Sequence, residues 1–472
     1  MALRPNFSDT LFTPVDAASL AVFRIGYGII MLVETWRYFH ADWIRRYYIT
    51  PTFHFSYYGF DWVQPWGETG MYLHFAVLAL LALFIAIGFL YRFSSIAFTL
   101  GFSYLFLLDQ TQYLNHFYLV ILLGALLSMM PAHRAFSVDA WLQRRSGAAV
   151  VPLWTVWALR GQFEVLYLYA GIVKLNADWL RLEPMAIWMA RGADLPLIGP
   201  LMVEPLAVAA ASYGVIILHL VGAPLLLWRR TRLGVLLVYT VFHTLNHFSF
   251  NIGIFPWLTL FGTLIFFEPD WPRRVWRALT SRAKPAVAQT GQAGAAAPAM
   301  ATATALPAPG HRLVIGLLAA WFGLQVLVPL RHLLYPGNVS WTEEGHRFAW
   351  QMMLREKSGV AGFRVSDPAS GRIWHVNLPD YLTRRQINKM ATRPDMLLQF
   401  AHYLARTWER EYSLPRVEVR VTSAVSLNGR PPVPLVDPDR DLAAEPRNLY
   451  PADWILPLTE PLPATTFRRL FD

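Results

Sequence analysis

MYLHFAVLALLALFIAIGFLY, from Met71 to Tyr91, contains no Asp, Glu, Lys or Arg. As a helix it is long enough to cross the hydrocarbon core of a bilayer. Apolar runs of similar kind recur near residues 17–37, 93–108, 116–131, 154–175, 205–228, 233–248, 252–268 and 312–331. The chain therefore reads as a mostly α, polytopic membrane helical bundle of about nine spans. Composition agrees: of 472 residues 55% are hydrophobic and 15% charged, against about 25% charged in a soluble domain. There is no cysteine, which excludes disulfides, thiolate nucleophiles and Cys-based metal sites.

The segment TPVD, Thr13 to Asp16, predicts the start of the first helix, with Thr13 as N-cap, Pro14 in the first turn and Asp16 closing a capping box. No basic region with a small-residue cleavage site precedes it, so the first span is expected to be uncleaved. The arginines sort by side. With a cytoplasmic N-terminus, the inner connections hold Arg92, then Arg134, Arg144 and Arg145, then Arg229, Arg230 and Arg232, then Arg273, Arg274, Arg277, Arg282, Lys284 and Arg312. The outer connections after the third and seventh spans hold none, and those after the first and fifth hold a few, including Arg45, Arg46 and Arg181. This bias predicts a cytoplasmic N-terminus and an extracytoplasmic C-terminal part. The net charge of +10 thus marks membrane topology, and nucleic acid is not an expected partner.

Four regions follow. Residues 1–283 form a transmembrane catalytic domain. Residues 284–310, rich in Ala and Pro, form a flexible cytoplasmic linker. Residues 311–334 are the last span. Residues 335–472 form a small extracytoplasmic α+β domain. In that last part GFRVSDPASGRIWHVN, Gly362–Asn377, alternates on both sides of a turn and predicts a hairpin. Pro394–Tyr412 has helical period, with Met396, Leu397, Phe400, Leu404 and Trp408 on one face. RVEVRVTSAVSL, Arg416–Leu427, predicts a further strand.

The polar residues in apolar surroundings carry the chemistry. YLYAGIVKLNADW, Tyr167–Trp179, places a lone Lys174 at the outer end of the fifth span. An ammonium at the bilayer centre costs about 2.5–3.5 kcal/mol, and desolvation favours the neutral amine, which is a base. The alternative is that Lys174 snorkels to the headgroups. Three other stretches reach the same outer face. They are LLDQTQYLNHFYL with Asp109, Asn115 and His116, FHTLNHFSFN with His243, Asn246 and His247, and WTEEGHRFAW, Trp341–Trp350. This one-sided clustering points to a catalytic pocket at the outer interface. A non-catalytic receptor or transport component would instead need a polar path reaching both faces. His243 and His247 have the i, i+4 spacing of two metal ligands, but no HExxH or comparable carboxylate set accompanies them. No metal is expected, and interfacial hydrogen-bonded histidines are the plainer reading. GxSxG, P-loop and dinucleotide fingerprints are all missing. Arg24 and Glu34 inside the first span read as structural partners of other buried polar groups.

Several stretches together resemble the vitamin K-dependent gamma-glutamyl carboxylases and their bacterial relatives, whose membrane part is of the HTTM type. They are FLLDQTQYLNH (Phe106–His116), FSVDAWL (Phe136–Leu142), VPLW with LRGQ (Val151–Gln162), AGIVKLNADW (Ala170–Trp179), FHTLN with NIGIF (Phe242–Phe255), PDWPRR (Pro269–Arg274) and DMLLQFAHYL (Asp395–Leu404). They occur in family order across nearly the whole chain.

The resemblance implies a reaction. In the family a lysine deprotonates vitamin K hydroquinone and oxygen adds. A strongly basic oxygenated species then removes the γ-proton of a protein glutamate. The carbanion captures CO2, and the vitamin ends as its epoxide. Lys174 matches the lysine and His116 the family histidine that supports the transition state. Asn115 is placed to donate to a developing oxyanion, and Asp109 matches a family carboxylate that orients His116 or the pocket. Tyr167, His243 and Phe255 are candidate quinol contacts. Trp341, His346 and Arg347, with Glu343 and Glu344, are candidates for the approach of a glutamyl peptide. The expected co-substrates are vitamin K hydroquinone or a menaquinol-like quinol, O2 and CO2. The expected partners are the lipid bilayer, the quinol and a protein or peptide glutamate. The expected location is a bacterial cytoplasmic membrane. The animal Lys-Lys pair is Val173-Lys174 here, and only the second lysine is retained. Quinol oxygenation without carboxylation stays open as an alternative, and oxygenation is expected to depend less than carboxylation on the C-terminal part.

Overall fold

The structure is a computed structural model, which describes residues 10–144, 149–196, 198–250, 252–281 and 310–463. The linker expected over 284–310 lies, but for Gly310, outside the described residues.

The entry to the first span differs from the predicted capping box. Pro14–Asp16 is a strand, β1, and helix α1 runs from Ala18 to His40 behind an Ala17 N-cap that makes no side-chain cap. The Asp16 carboxylate accepts the Ala18 N–H at 2.8 Å instead. The reason is tertiary. β1 pairs antiparallel with β2, Val150–Pro152, and this clip holds TPVD extended. Between these strands lie α2 (Glu68–Ile87), α3 (Tyr91–Leu108), α4 (Asn115–Met129) and the short α5 (Val138–Leu142). After β2 come α6 (Leu153–Ile172), the single turn α7 (Ala177–Leu180), α8 (Pro205–Leu227), α9 (Arg232–Ser249), α10 (Phe255–Phe266), α11 (Trp271–Ser281) and α12 (His311–Leu334).

Each of the nine predicted apolar segments folds as a helix. Among the described residues five are long and apolar enough to cross a membrane, namely α1, α2, α3, α8 and α12. α4 and α10 are apolar but shorter. The molecule is an integral membrane protein with a mostly helical fold. Its bundle core is a continuous cluster that includes Phe23, Tyr27, Phe98, Leu123 and Phe163. α1 and α2 approach closely, and a Cβ on Gly28 would lie 2.5 Å from the Ala86 backbone nitrogen, so only glycine fits. Several buried polar groups bond backbone carbonyls within the bundle, as a lipid setting favours. Tyr27 Oη donates to Val120 O at 3.0 Å, Arg24 donates to Phe136 O at 2.5 Å, and Arg160 Nε donates to Ile265 O at 3.0 Å. Arg24 thus ties α1 to the connection before α5 through one guanidinium nitrogen.

α8 contains a π-bulge over Leu218–Gly222. Pro224 follows it and lacks the N–H that a regular ladder would need. The bulge turns His219 inward, where it is buried and its Nδ1 hydrogen-bonds Val215 O at 2.7 Å.

The C-terminal part is α+β as expected. β3 (Lys357–Ser366), β4 (Ile373–His375), α13 (Arg384–Met390), α14 (Pro394–Glu411) and β5 (Glu418–Leu427) follow in order. The antiparallel sheet has strand order β4-β3-β5, with Phe363 opposite Val421 and Val365 opposite Val419. The predicted face of α14, with Met396, Leu397, Phe400, Leu404 and Trp408, is buried in a second core. Phe55, from the connection after α1, enters that same core, so the two parts share a packed boundary.

Candidate active site

Lys174 sits two residues beyond the last residue of α6 and is 4% exposed. Its Nζ donates to Ala170 O at 2.9 Å and to Met352 O at 3.1 Å. It lies 4.9 Å from the centroid of a Trp179 ring. Among the described residues no carboxylate pairs with it. The turn that follows is fixed from within and from outside. Asn176 caps α7 by accepting the Trp179 N–H at 3.0 Å. Asp178 is held by both Arg430 nitrogens, at 2.7 and 2.8 Å, and by Asn428 at 2.8 Å. This buried pair ties the Lys174 turn to the end of β5.

Lys174 faces a cavity of about 450 Å³. His116 and Asn115 from the start of α4 line it, as do Tyr167, His243 and Phe255. Six residues read from the sequence as base, oxyanion support or quinol contacts thus share one cavity. Asn115 is held from both ends: its Oδ1 accepts from Tyr113 Oη at 2.9 Å and its Nδ2 donates to Gln351 O at 3.3 Å. Tyr113 Oη in turn accepts the Phe348 N–H at 2.7 Å. His116 packs its ring against Phe117 and Phe255, with centroids 4.8 and 6.0 Å away. The tyrosine at 167 stacks on Tyr239 at 4.7 Å and bonds Thr263 Oγ1 at 2.7 Å. His243 Nδ1 is 3.4 Å from Thr259 Oγ1, whereas His247 is exposed and packs beside Trp257. Among the described residues no group of three or more His, Cys, Asp or Glu is placed to hold a metal ion.

Other candidates sit elsewhere. Asp109 makes no bond to His116. Its carboxylate takes His54 Nδ1 at 3.2 Å, Gln386 Nε2 at 3.3 Å and Thr111 N–H at 2.8 Å. It joins the connection before α4 to α13, and so supports the position of His116 only through the backbone. Trp341 is fully buried in the second core, its Nε1 donating to Leu456 O at 2.7 Å. His346 and Arg347 line a separate cavity of about 490 Å³ that also holds Tyr57, Tyr335 and Trp454. There His346 lies 3.5 Å from Glu343 and Arg347 lies 3.3 Å from Asp395.

The sequence reading missed two sets of residues. The first is Glu34 and Arg37, an ion pair at 2.6 Å that lines the Lys174 cavity. A Cβ on Gly253 would lie 3.2 Å from Arg37 Nη1 and 3.7 Å from His116 Nε2. Glycine at that position, with φ +61°, therefore lets the guanidinium and the imidazole approach one another. Their i, i+3 spacing was a signal, read only as structural for Glu34. The second set is a basic cavity of about 550 Å³ lined by Arg355, Lys357, Arg384, Arg385, Lys389 and Arg393 around Glu343. Burial pushes the Glu343 carboxyl up, but Arg355, His346 and Lys357 outweigh it and hold it well below the usual range. Burial, with Arg355 and Arg393 nearby, pushes the Lys357 amine down to about 7 despite the opposing Glu343. Repulsion from Arg393, then burial, does the same to Lys389, also down to about 7.

Arg385 and Lys389 line both this basic cavity and the Lys174 cavity. Met352 and Met353 wall the Lys174 cavity from the C-terminal side. The cavity on the quinol side, where oxygenation is expected to depend less than carboxylation on the C-terminal part, thus has walls from both parts.

Comparison with protein families gives two matches. Residues 12–271 match the HTTM domain. Residues 310–461 match the vitamin K-dependent gamma-carboxylase, lumenal domain. No solved structure matches the chain.

Proposed function

Because this chain belongs to the vitamin K-dependent gamma-glutamyl carboxylase family, we propose that it couples oxidation of a reduced quinone of the vitamin K class to γ-carboxylation of a peptide glutamate. One observation carries the reading. An apolar cavity with a buried amine adjoins a basic cavity, and Arg385 and Lys389 belong to both. An apolar quinol and an anionic side chain can therefore meet at one place.

The residues divide the work. Lys174 takes the phenolic proton of the quinol, because no carboxylate pins its own protons and its neighbours are two carbonyls and an indole face. Tyr167, Tyr239 and Phe255 bind the ring system by stacking and apolar contact. Asn115, locked by Tyr113 and the Gln351 carbonyl, and His116 lie where charge develops as the glutamyl carbon loses its proton. Arg37 adds a guanidinium beside His116, and Glu34 fixes it. Arg385 and Lys389 hold the γ-carboxylate of the substrate at the shared wall. When bound, the quinol supplies the reducing equivalents and O2 the oxidant.

The test uses purified protein, reduced vitamin K, oxygen, labelled bicarbonate and a glutamyl peptide, with epoxide and fixed label measured together. Both products should appear and depend on the peptide. Epoxide with no label would replace this reading with quinol oxygenation alone.

A pH dependence follows from the lowered lysines. Lys357 and Lys389 lose their protons as pH rises through about 7, so the basic cavity loses positive charge and binds carboxylates less well. The KM for the glutamyl peptide should rise several-fold between about pH 6 and about pH 8.5, a range spanning those lysines, while the KM for the quinol stays flat. Lys389→Met should raise the peptide KM at low pH and flatten its profile. A profile identical to that of the unsubstituted protein would remove Lys389 from the substrate site.

The arginine bias supports a C-terminal part outside the cytoplasm. A reporter fused after Asp472 should be active in its periplasmic form only. A cytoplasmic signal would shift the span count by one.

A further inference from the structure

α11 lies at the end of the bundle remote from Lys174. Arg273 Nε on α11 is 2.9 Å from Asp16, just before α1 begins, whereas Arg37, in the Lys174 cavity, is near the end of α1. At helical rise those ends are about 30 Å apart, the thickness of a hydrocarbon core. α11 is thus at the opposite membrane face from the chemistry.

The helix has 11 residues, too short to span. Its two sides differ. Val275, Trp276 and Leu279 share one face and are 48%, 68% and 62% exposed. Arg273, Arg274 and Arg277 occupy the opposite arc. The roll of the helix is pinned. Arg273 also sits 5.1 Å from the Phe136 ring, and Arg274 bonds Glu268 at 3.2 Å and Asp270 at 3.1 Å. The apolar face therefore cannot turn into the bundle. Arg229 and Arg232 reach the same Glu268, at 3.1 and 3.4 Å. Around this rim six arginines (229, 230, 232, 273, 274 and 277) face three carboxylates (Asp16, Glu268 and Asp270), an excess of three positive charges. Exposed Trp141 and Trp228 lie on the connections at this same end. Indoles and arginines at one level are the signature of a headgroup layer.

We infer that α11 is an interfacial helix that binds anionic phospholipid, with acyl chains under Val275, Trp276 and Leu279 and phosphates on the surplus arginines. The excess positive charge around it is complementary to that of an anionic leaflet.

The chain has no cysteine, so one introduced thiol is a unique reporter. Full-length protein with Leu279→Cys carries a nitroxide and is placed in nanodiscs of phosphatidylcholine, alone or mixed equally with phosphatidylglycerol. Ala369→Cys, in an exposed turn of the C-terminal part, serves as the water-accessible control. Dissolved oxygen should reach the label at 279 in preference to a water-soluble nickel chelate, the reverse of the control. Lipid retained on the purified protein should favour phosphatidylglycerol over phosphatidylcholine. Arg230→Gln with Arg277→Gln should reduce that preference by on the order of tenfold, given the typical worth of a basic residue near an anionic surface. Chelate access equal to the control would mean that the face is open to water or to a soluble partner, and would overturn the proposal. An unchanged lipid preference in the double variant would overturn its anionic part. The label experiment needs no arginine substitution, so a poorly inserted double variant does not remove the test.

Discussion

Lys174→Ala should leave a folded, membrane-inserted protein that makes almost no epoxide. A positioned base is worth about 10²–10⁴-fold, and no second amine takes its place, since the nearest other cavity lysine, Lys389, sits at the basic wall. The fold should survive because Ala170 O is a helix carbonyl and the Met352 segment is held separately through Tyr113 and Asn115. Lys174→Arg should fail equally, because guanidinium keeps its proton. Small primary amines should restore part of the rate in the alanine variant by entering the vacated volume. Epoxide is the readout, with circular dichroism and gel filtration reporting the fold. Undiminished epoxide in a folded Lys174→Ala protein would sink the assignment.

His116→Ala should act on the later step. Carboxylation should drop by about 10²–10³-fold, the loss seen when one oxyanion-stabilising donor is removed, with the KM for the quinol nearly unchanged. His116 lies beside Arg37 across Gly253, so the same variant should also strip most of the effect of a subsequent Arg37→Gln change. Independent, additive losses would show that the two side chains do not act on one developing charge.

Much of this was legible in the sequence, and the limits have physical causes. Apolar period placed nine helices, and alternation placed β3, β4 and β5, because both patterns are local. Lys174, His116, Asn115, Tyr167, His243 and Phe255 converge because helix ends on one membrane face have few places to go. TPVD was misread because its partner strand, Val150–Pro152, is more than a hundred residues away and leaves no local trace. Asp109 pairs with His54 and Gln386, across separations of 55 and 277 residues. The basic cavity was missed for the same reason. Its arginines and lysines look like the solvated face of a short helix until β3 and Glu343 pack beside α13. His346 and Arg347 were conspicuous only because they follow α12 closely, yet they turn into a different cavity.

The bond from Lys174 to the Met352 carbonyl spans 178 residues of chain. Synthesis runs from one end, so Lys174 is threaded into the bilayer well before Met352 leaves the ribosome. Until then the amine lacks one of its two acceptors and the cavity lacks the wall formed by Met352, Met353, Arg385 and Lys389. A chain stalled or cleaved between α12 and β3 thus has a Lys174 with one acceptor fewer and a cavity without that wall. Under the proposed function, completion of the polypeptide arms the site, so that a half-built protein does not consume quinol and oxygen without a glutamate to receive the result.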